Sequence, residues 1–243
     1  VVGTSSVMLS PSSKEYFKNG IVSGVKGAIV PEYYVLESGI AAVGDMFGWF
    51  VDHMVSEEYA EKAKAEGKNL HVYLTEKASE LKPGESGVVA LDWWNGNKTP
   101  YVDGRLSGVL VGCTLNTKSE EIYRALIEAT AFGTRKIVEM YKEANPDIRM
   151  IIASGGIAEK NPLFMQIYAD VLNCEIRLSA TDQTAALGSA IYAAVAAGKA
   201  NGGYDSVEEA VKNMSHLKET KYTPIPENVK MYNELFDIYC ELI

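Results

Sequence analysis

The alternation of strand-like and helix-like segments in the last hundred residues constrains the fold of this chain more than any other feature. Ile148 to Ala153 and Glu175 to Ser179 are short apolar runs typical of strands, and a helical pattern follows each of them. Asn161-Pro162 begins the first of these helices, with Asn as N-cap and Pro at the first helical position. The second runs from Thr184 to Ala197 and ends at Gly198. Because strands joined by a helix pair in parallel through a right-handed crossover, the pattern predicts an α/β fold.

The first forty residues predict β structure of a different kind. Val1 to Ser10, Ile21 to Val30 and Tyr33 to Ser38 are rich in Val, Ile, Tyr and Thr, and glycine or proline separates them. Three such strands in succession predict an antiparallel meander at the start of a mixed sheet. The other predicted elements are a strand at Val88 to Leu91 and helices at Gly39 to Val55, Ser56 to Leu81, Thr117 to Tyr141 (with Thr117 and Glu120 as a capping box) and Pro224 to Ile243.

Length and charge exclude several classes of protein. A chain of 243 residues suits one large domain or two small ones, and we expect a single domain over residues 1–243. The net charge of −9 argues against non-specific binding to nucleic acid, which needs clustered cations. The uncharged run from Gln183 to Gly198 is shorter than the roughly 20 residues that span a bilayer. Cys113, Cys174 and Cys240 lie in apolar stretches, which predicts buried, reduced thiols in a cytoplasmic protein.

Paired glycines follow the first of the late strands, in Ser154-Gly155-Gly156. Glycines let a ligand approach the backbone, and the helix that follows offers free N–H groups, so a nucleotide would fit here. The segment lacks the third glycine of a dinucleotide fingerprint and the Gly-Lys-Ser/Thr of a phosphate loop. A tight turn in which Asn161 is a simple helix cap explains the same residues, and local evidence leaves both interpretations open.

Two further segments offer polar groups to a ligand. Gly3-Thr4-Ser5-Ser6 forms a turn whose hydroxyl and N–H groups suit a phosphate, although the local sequence favours a plain Ser/Thr-rich hairpin turn. Glu37, at a strand end beside Ser38-Gly39, is placed to accept hydrogen bonds from sugar hydroxyls, or to act as a first-turn carboxylate at a helix start.

Other patterns predict structure rather than chemistry. His53, His71 and His216 are too scattered for a zinc site, and we expect no metal centre built by the protein. Trp93 and Trp94 are predicted to anchor the core or a loop, since no basic stripe accompanies them. The small residues of the helix from Thr184 to Ala197 predict close packing in the core.

Taken in order, these segments resemble the C-terminal domain of the FGGY carbohydrate kinases, and within that family the branch that phosphorylates L-ribulose. The matching stretches cover nearly the whole chain and are Val2 to Ser6, Tyr34 to Gly39, Val43 to Val51, Leu91 to Pro100, Leu126 to Arg135, Gly155 to Pro162 and Ala186 to Ala190. The resemblance implies an actin-like, ribonuclease H-like ATPase domain that uses ATP and Mg²⁺, with a ketopentose, L-ribulose, as the substrate.

The resemblance also assigns residues to this site. It places Gly3, Thr4 and Ser5 at the β- and γ-phosphates, Gly155, Gly156, Lys160 and Asn161 around adenine and ribose, and Glu37 at the ketopentose. The family's first phosphate loop, Asp-x-Gly-Thr, and its catalytic Asp-Ala-His segment are absent from residues 1–243. We therefore expect the catalytic aspartate upstream of Val1, an N-terminal sugar-binding domain as the partner, and little turnover by this chain alone.

Two alternatives from other classes stay open at this point. The chain would also suit a stand-alone nucleotide-binding or regulatory module of actin-like fold. A dinucleotide-dependent oxidoreductase is disfavoured, because the glycine pair comes late in the chain and lacks the third glycine. The sequence leaves open whether the protein forms a homodimer.

Overall fold

The structure is a computed structural model that describes the backbone of residues 1–243 and the side chains of all of them except residues 23 and 24. The strands are β1 (Ser6–Ser12), β2 (Val22–Lys26), β3 (Tyr34–Ile40), β4 (Val89–Leu91), β5 (Val109–Val111), β6 (Met150–Ala153), β7 (Glu175–Ser179) and β8 (Leu217–Tyr222). The helices are α1 (Gly44–His53), α2 (Glu57–Ala65), α3 (Leu70–Ser79), α4 (Ser119–Ala144), α5 (Gly156–Lys160), α6 (Pro162–Leu172), α7 (Thr184–Ala197), α8 (Val207–Met214) and α9 (Pro226–Glu241), with a 3₁₀ turn at Lys199–Asn201.

The first sheet has the strand order β1-β3-β2, and both pairs are antiparallel. The predicted strands are therefore present, but β3 lies in the centre, whereas a simple meander would place β2 there. Leu36 and Ile40 of β3 are buried in the core, while Val22 and Val25 of β2 are exposed. The strand that carries the apolar residues takes the central position because it buries more of its surface there.

The second large sheet confirms the predicted parallel pair. β6 and β7 run in parallel, connected by α5 and α6, and β8 adds an antiparallel edge that the sequence did not indicate. The Asn161-Pro162 signal is also confirmed, since the Asn161 side chain accepts a hydrogen bond of 3.0 Å from the Phe164 N–H and Pro162 occupies the first turn of α6.

Helix α4 runs through the centre of the core and packs against α3, α6, β3 and β4. Its first turn differs from the prediction. The helix begins at Ser119, and Glu121, not Glu120, accepts a hydrogen bond of 2.7 Å from the Lys118 N–H. The Thr117 hydroxyl instead accepts from the Thr114 N–H at 2.8 Å, so the preceding turn has already used the side chain that was expected to cap the helix.

Two other predictions are corrected by local geometry. The charged stretch from Ser56 to Leu81 forms two helices, because Gly67 takes a left-handed φ of +69° and Asn69 caps a new helix by accepting a 2.9 Å bond from the Val72 N–H. Helix α7 has the predicted bounds, but of its described residues Ile191 alone is buried. Its alanines have little surface to bury, so the helix lies at the surface rather than in the core.

The three cysteines differ in exposure. Cys174 is buried and Cys240 half-buried, whereas Cys113 is exposed, contrary to the expectation of three buried thiols. Among the helices that the structure describes, none has the length and apolar character needed to cross a bilayer.

Candidate functional site

The turn at Gly3, Thr4 and Ser5 is held by its own backbone and by the start of α1. The Gly3 N–H donates to the Ser5 carbonyl at 3.0 Å, and the Gly44 N–H donates to the Gly3 carbonyl at 2.9 Å. A Cβ at Gly44 would lie 2.8 Å from that carbonyl, so the close approach of α1 requires glycine there. Thr4 and Ser5 are both exposed.

The paired glycines form a second turn, which lies directly against the first. The Val2 N–H donates to the Ser154 carbonyl at 2.8 Å. Gly155 has a left-handed φ of +106°, and a Cβ there would lie 2.3 Å from the Val2 carbonyl oxygen. Gly156 differs from Gly155, because no heavy atom lies within 4 Å of its ideal Cβ position. The two turns therefore meet through Gly155, while Gly156 borders open space.

The N-terminus of α7 adds a third segment to the same place. The hydroxyls of Ser154 and Thr184 are 3.3 Å apart, and Thr184 is the first residue of the helix. The N-cap residue Gln183 makes no side-chain capping bond, so the first N–H groups of this 14-residue helix have no side-chain cap. Free N–H groups and the helix dipole favour an anion at such a position.

Lys160 and Asn161 follow the second turn, and their side chains differ in how free they are to contact a ligand. Lys160 is exposed at the end of α5. The side chain of Asn161 is engaged at both ends, since its Oδ1 caps α6 and its Nδ2 donates to the Thr75 hydroxyl at 3.2 Å. Asn161 thus fixes the turn in place, and its amide has less capacity left for a ligand than the sequence suggested.

Glu37 lies on β3, away from the two turns. Its strand neighbours are Leu9 on β1 and Val22 on β2, both exposed, while the adjacent Leu36 and Ser38 point into the core. The carboxylate is therefore half-buried on the outer face of the sheet. Leu9 is three residues along β1 from Ser6, which places Glu37 about 10 Å from the first turn.

The structure also shows two features that sequence reasoning missed. Thr184 lies just after β7, at the start of α7, and the only signal for it in the sequence was a hydroxyl residue at the start of an alanine-rich helix. Asp45, in the first turn of α1, has its N–H 3.4 Å from the Thr4 carbonyl and lines a cleft together with Trp94. Trp93 is buried and Trp94 packs half-buried against the core, as expected, and Trp94 also borders this cleft.

No three His, Cys, Asp or Glu side chains in the described part of the chain come together as metal ligands would. The two turns and the start of α7 offer backbone N–H groups, hydroxyls and glycines, which are suited to phosphate groups.

Comparison with known proteins places this arrangement in context. The model for the C-terminal domain of the FGGY family of carbohydrate kinases matches residues 1–197. A ribulokinase of Bacillus licheniformis is 49% identical over 242 residues, which are 100% of this chain and 44% of that protein. A ribulokinase of Halalkalibacterium halodurans is 50% identical over 241 residues, 99% of this chain and 43% of that protein.

Solved structures agree in fold. A xylulose kinase from Rhodospirillum rubrum superimposes with a TM-score of 0.80 at 26% identity, covering 99% of this chain and 45% of that one. Plasmodium falciparum glycerol kinase with ADP superimposes with a TM-score of 0.76 at 19% identity, covering 99% of this chain and 46% of that one. The chain thus spans less than half the length of the relatives it matches.

Proposed function

The chain belongs to the FGGY family of carbohydrate kinases, and from that premise we propose that it is the ATP-binding half of a kinase that transfers the γ-phosphoryl group of ATP to L-ribulose. The mixed α/β architecture and the likeness to sugar-kinase structures agree with the actin-like fold of this family. The choice of L-ribulose is supported by the two ribulokinases that are about half identical to the chain.

One observation carries the nucleotide assignment: the contact between the two turns, made by the Val2 N–H and the Ser154 carbonyl at 2.8 Å. These turns are about 150 positions apart in the sequence, and they were proposed separately as a phosphate site and an adenosine site. In the fold they border one region, together with the start of α7. A molecule with a phosphate end and a base end could contact both turns at once. The contact between the turns therefore supports a single nucleotide site more strongly than either turn does alone.

The residues present fit the parts of a nucleotide. The Gly3 to Ser5 turn offers two exposed hydroxyls, and neither Gly3 nor Gly156 has a heavy atom within 4 Å of its ideal Cβ position. We assign Gly3, Thr4 and Ser5 to the phosphates and Gly155, Gly156 and Lys160 to adenosine. Asn161 belongs to the same end of the site, where it positions the turn through its bonds to Phe164 and Thr75.

The reaction requires groups on both sides of the phosphates. Mg²⁺, brought with ATP, would neutralise the charge of the phosphates during the transfer. The chain itself would bind and orient ATP through backbone N–H groups, while Glu37 would hold the sugar. We assign the general base to a residue outside 1–243, because the resemblance places the catalytic aspartate upstream of Val1.

The nucleotide assignment is tested by replacing Gly156 with valine and measuring ATP affinity by isothermal titration calorimetry. A branched side chain at this open position would occupy the space proposed for adenosine, so we expect ATP affinity to fall at least tenfold, by about 1.4 kcal/mol. Gly104→Val is a matched control, because Gly104 also has no heavy atom within 4 Å of its Cβ position but lies in the loop between β4 and β5. Equal ATP affinity in the two variants would refute the assignment.

The assignment of ATP binding to this chain, and of the general base to a residue outside 1–243, is tested by an ADP-release assay with L-ribulose, ATP and Mg²⁺. Loss of general-base catalysis costs about 10²–10⁴-fold in rate, so the chain should bind ATP and turn over slowly. Robust turnover would show that the general base lies within residues 1–243. Titration with NAD in place of ATP separates the kinase from an oxidoreductase, and we expect NAD to bind more weakly.

A further inference from the structure

A second cleft, of about 190 Å³, lies where α4, the end of α6 and α9 meet, and we call it the α4–α6–α9 cleft. Asn173 lines it, two residues before β7 begins. Because β6 and β7 run in parallel, the cleft lies at their amino ends, whereas Ser154 and Gly155 follow the carboxyl end of β6. The length of β7, about 13 Å for its five residues, therefore separates the cleft from the two turns.

The floor of the α4–α6–α9 cleft is apolar. Val138 from α4 and Val171 and Leu172 from α6 line it, and all three are buried. Pockets for drug-sized ligands measure roughly 300–1,000 Å³, so this smaller cleft suits a molecule of few heavy atoms. Such a molecule would place an apolar end against this floor.

Arg135 lines the same cleft, and its guanidinium is fixed in position. The guanidinium carbon lies 4.0 Å from the ring centre of Phe236. Its Nε donates to the Glu139 carboxylate at 3.1 Å, and one terminal nitrogen, Nη1, donates to the Asn233 Oδ1 at 2.7 Å. The other, Nη2, has no acceptor among the described residues, and the side chain is 22% exposed. A rigid guanidinium therefore keeps N–H donors for a ligand.

Two further donors line the cleft. Lys142 lies two turns after Arg135 on the same face of α4. Its side chain is half-buried and forms neither a hydrogen bond nor an ion pair within the part of the chain that the structure describes. The Oδ1 of Asn233 accepts from Arg135, so its Nδ2 group is the end of the amide that is left to donate to a ligand.

These donors select an anion that carries a single charge. Arginine and lysine side chains offer no acceptor, so the ligand must supply one. Arg135 and Lys142 against the carboxylate of Glu139 leave one positive charge in excess, in a chain whose net charge is −9. A monoanion matches that excess, whereas the second charge of a dianion would be repelled by Glu139. A cation would be repelled by Arg135 and Lys142, and a neutral molecule would leave them without a counterion.

We propose that the α4–α6–α9 cleft binds a short monocarboxylate. The carboxylate contacts Arg135 and Lys142, because a planar carboxylate matches the N–H geometry of a guanidinium, and the apolar end lies on the floor of the cleft. Ligands of open α/β sheets generally bind beyond the carboxyl ends of the strands, so this is a site of a different kind from the nucleotide site. The proposal does not rest on the proposed function, since the cleft shares no residue with the two turns or with Glu37.

The proposal is tested with propionate as the probe and propionamide as its neutral counterpart of the same shape. Titration of the isotope-labelled chain at constant ionic strength, followed by nuclear magnetic resonance, gives the dissociation constant. We expect propionate to cause saturable shifts at the backbone amides of Asn173 and Asn233, and propionamide to cause none there. Inorganic phosphate should bind more weakly than propionate, because its second charge is repelled by Glu139 and it has no apolar end.

Substitutions on α4 identify the groups that bind the carboxylate. Arg135→Gln should weaken propionate binding about tenfold or more, because hydrogen bonds between charged groups are the strongest of their kind. Lys142→Gln should weaken it about threefold or more, as expected for a partly exposed ion pair. Lys136→Gln is the matched control, since Lys136 is also half-buried on α4 but lies outside the cleft, and its removal should leave propionate affinity unchanged.

Equal propionate affinities of the Lys142→Gln and Lys136→Gln variants would overturn the proposal, and so would shifts that do not saturate or that propionamide reproduces. Phosphate binding as tight as that of propionate would overturn the choice of a carboxylate. Urea denaturation of the same variants separates binding from a structural role. If Lys142 only stabilised the carboxyl end of α6, its replacement would lower stability and leave propionate affinity unchanged, which would also overturn the proposal.

Discussion

Replacing Glu128 with leucine should destabilise the fold more than any substitution at the surface. Glu128 and Arg124 form an ion pair of 2.8 Å inside the core, and their side chains are only 6% and 7% exposed. The guanidinium also donates to the Ala78 carbonyl at 2.9 Å and to the Tyr232 hydroxyl at 2.9 Å, and that hydroxyl donates to Glu128 at 3.0 Å. The network therefore joins α4 to α3 and α9.

The magnitude follows from what the substitution leaves behind. Glu128→Leu removes a charge-assisted bond worth about 1.5–3 kcal/mol and leaves the Tyr232 hydroxyl without an acceptor, at about 1–3 kcal/mol. Their sum agrees with the roughly 3–5 kcal/mol measured for breaking buried ion pairs in other proteins. We expect the free energy of unfolding to fall by that amount, a large fraction of the about 5–15 kcal/mol typical of a domain.

The double variant Arg124→Met, Glu128→Leu separates the charge from the packing. The Ala78 carbonyl keeps a backbone bond from the Leu81 N–H at 3.3 Å, so removing the guanidinium leaves it satisfied. With no buried charge left, the double variant should recover at least 2 kcal/mol relative to Glu128→Leu. Urea denaturation followed by circular dichroism measures both. The single variant Arg124→Met completes the comparison. A cost below about 1 kcal/mol for Glu128→Leu would refute the reasoning, and so would a double variant whose cost equals the sum of the two single costs.

Two further predictions concern the core and the second turn. Burial raises the pKa of Asp92 from its ordinary value of 3.8 to about 6, so the stability this group contributes is full at low pH and is lost as the pH rises through 6. In Asp92→Asn the amide oxygen can still accept the hydrogen bond that the Tyr239 hydroxyl donates to Asp92 at 2.7 Å. We expect this variant to have a higher urea midpoint at pH 8, and a midpoint that depends less on pH between pH 4 and pH 7. A pH profile equal to that of the wild type would contradict this. Asn161→Ala removes the cap of α6 and the bond to Thr75, so we expect a loss of about 1 kcal/mol or more in urea denaturation and weaker ATP binding, whereas Asn161→Ser should restore part of the stability because serine also caps. Equal stability of the alanine and serine variants would exclude capping as the cause.

Local signals predicted elements accurately where one or two residues determine the backbone. Helix α7 and strand β7 have the predicted bounds, and α6 begins where Asn161-Pro162 indicated. These signals work because capping and the restricted φ of proline act within a single turn. The same kind of signal existed for the break between α2 and α3, at Gly67, but a continuous run of charged residues concealed it.

Elements that depend on a distant partner were missed. Strand β8 reads Leu-Lys-Glu-Thr-Lys-Tyr, with little apolar content, and it exists because β7 offers it a free edge. The position of β3 between β1 and β2 has the same origin. Strand pairing is a contact between separate segments, so the composition of one segment does not specify it.

The features of the candidate site are likewise of two kinds, those that the local sequence predicts and those that depend on contacts between distant segments. From the sequence came the glycines, hydroxyls and helix starts that make two turns suitable for phosphate and adenosine. Three features depend on the tertiary structure. The Val2 N–H donates a hydrogen bond to the Ser154 carbonyl, the Asn161 side chain caps α6, and Asp45 borders a cleft with two tryptophans beside Thr4. The physical reason is range: conformational preference is set by neighbours within a few residues, whereas a binding site consists of segments that packing brings together from far along the chain.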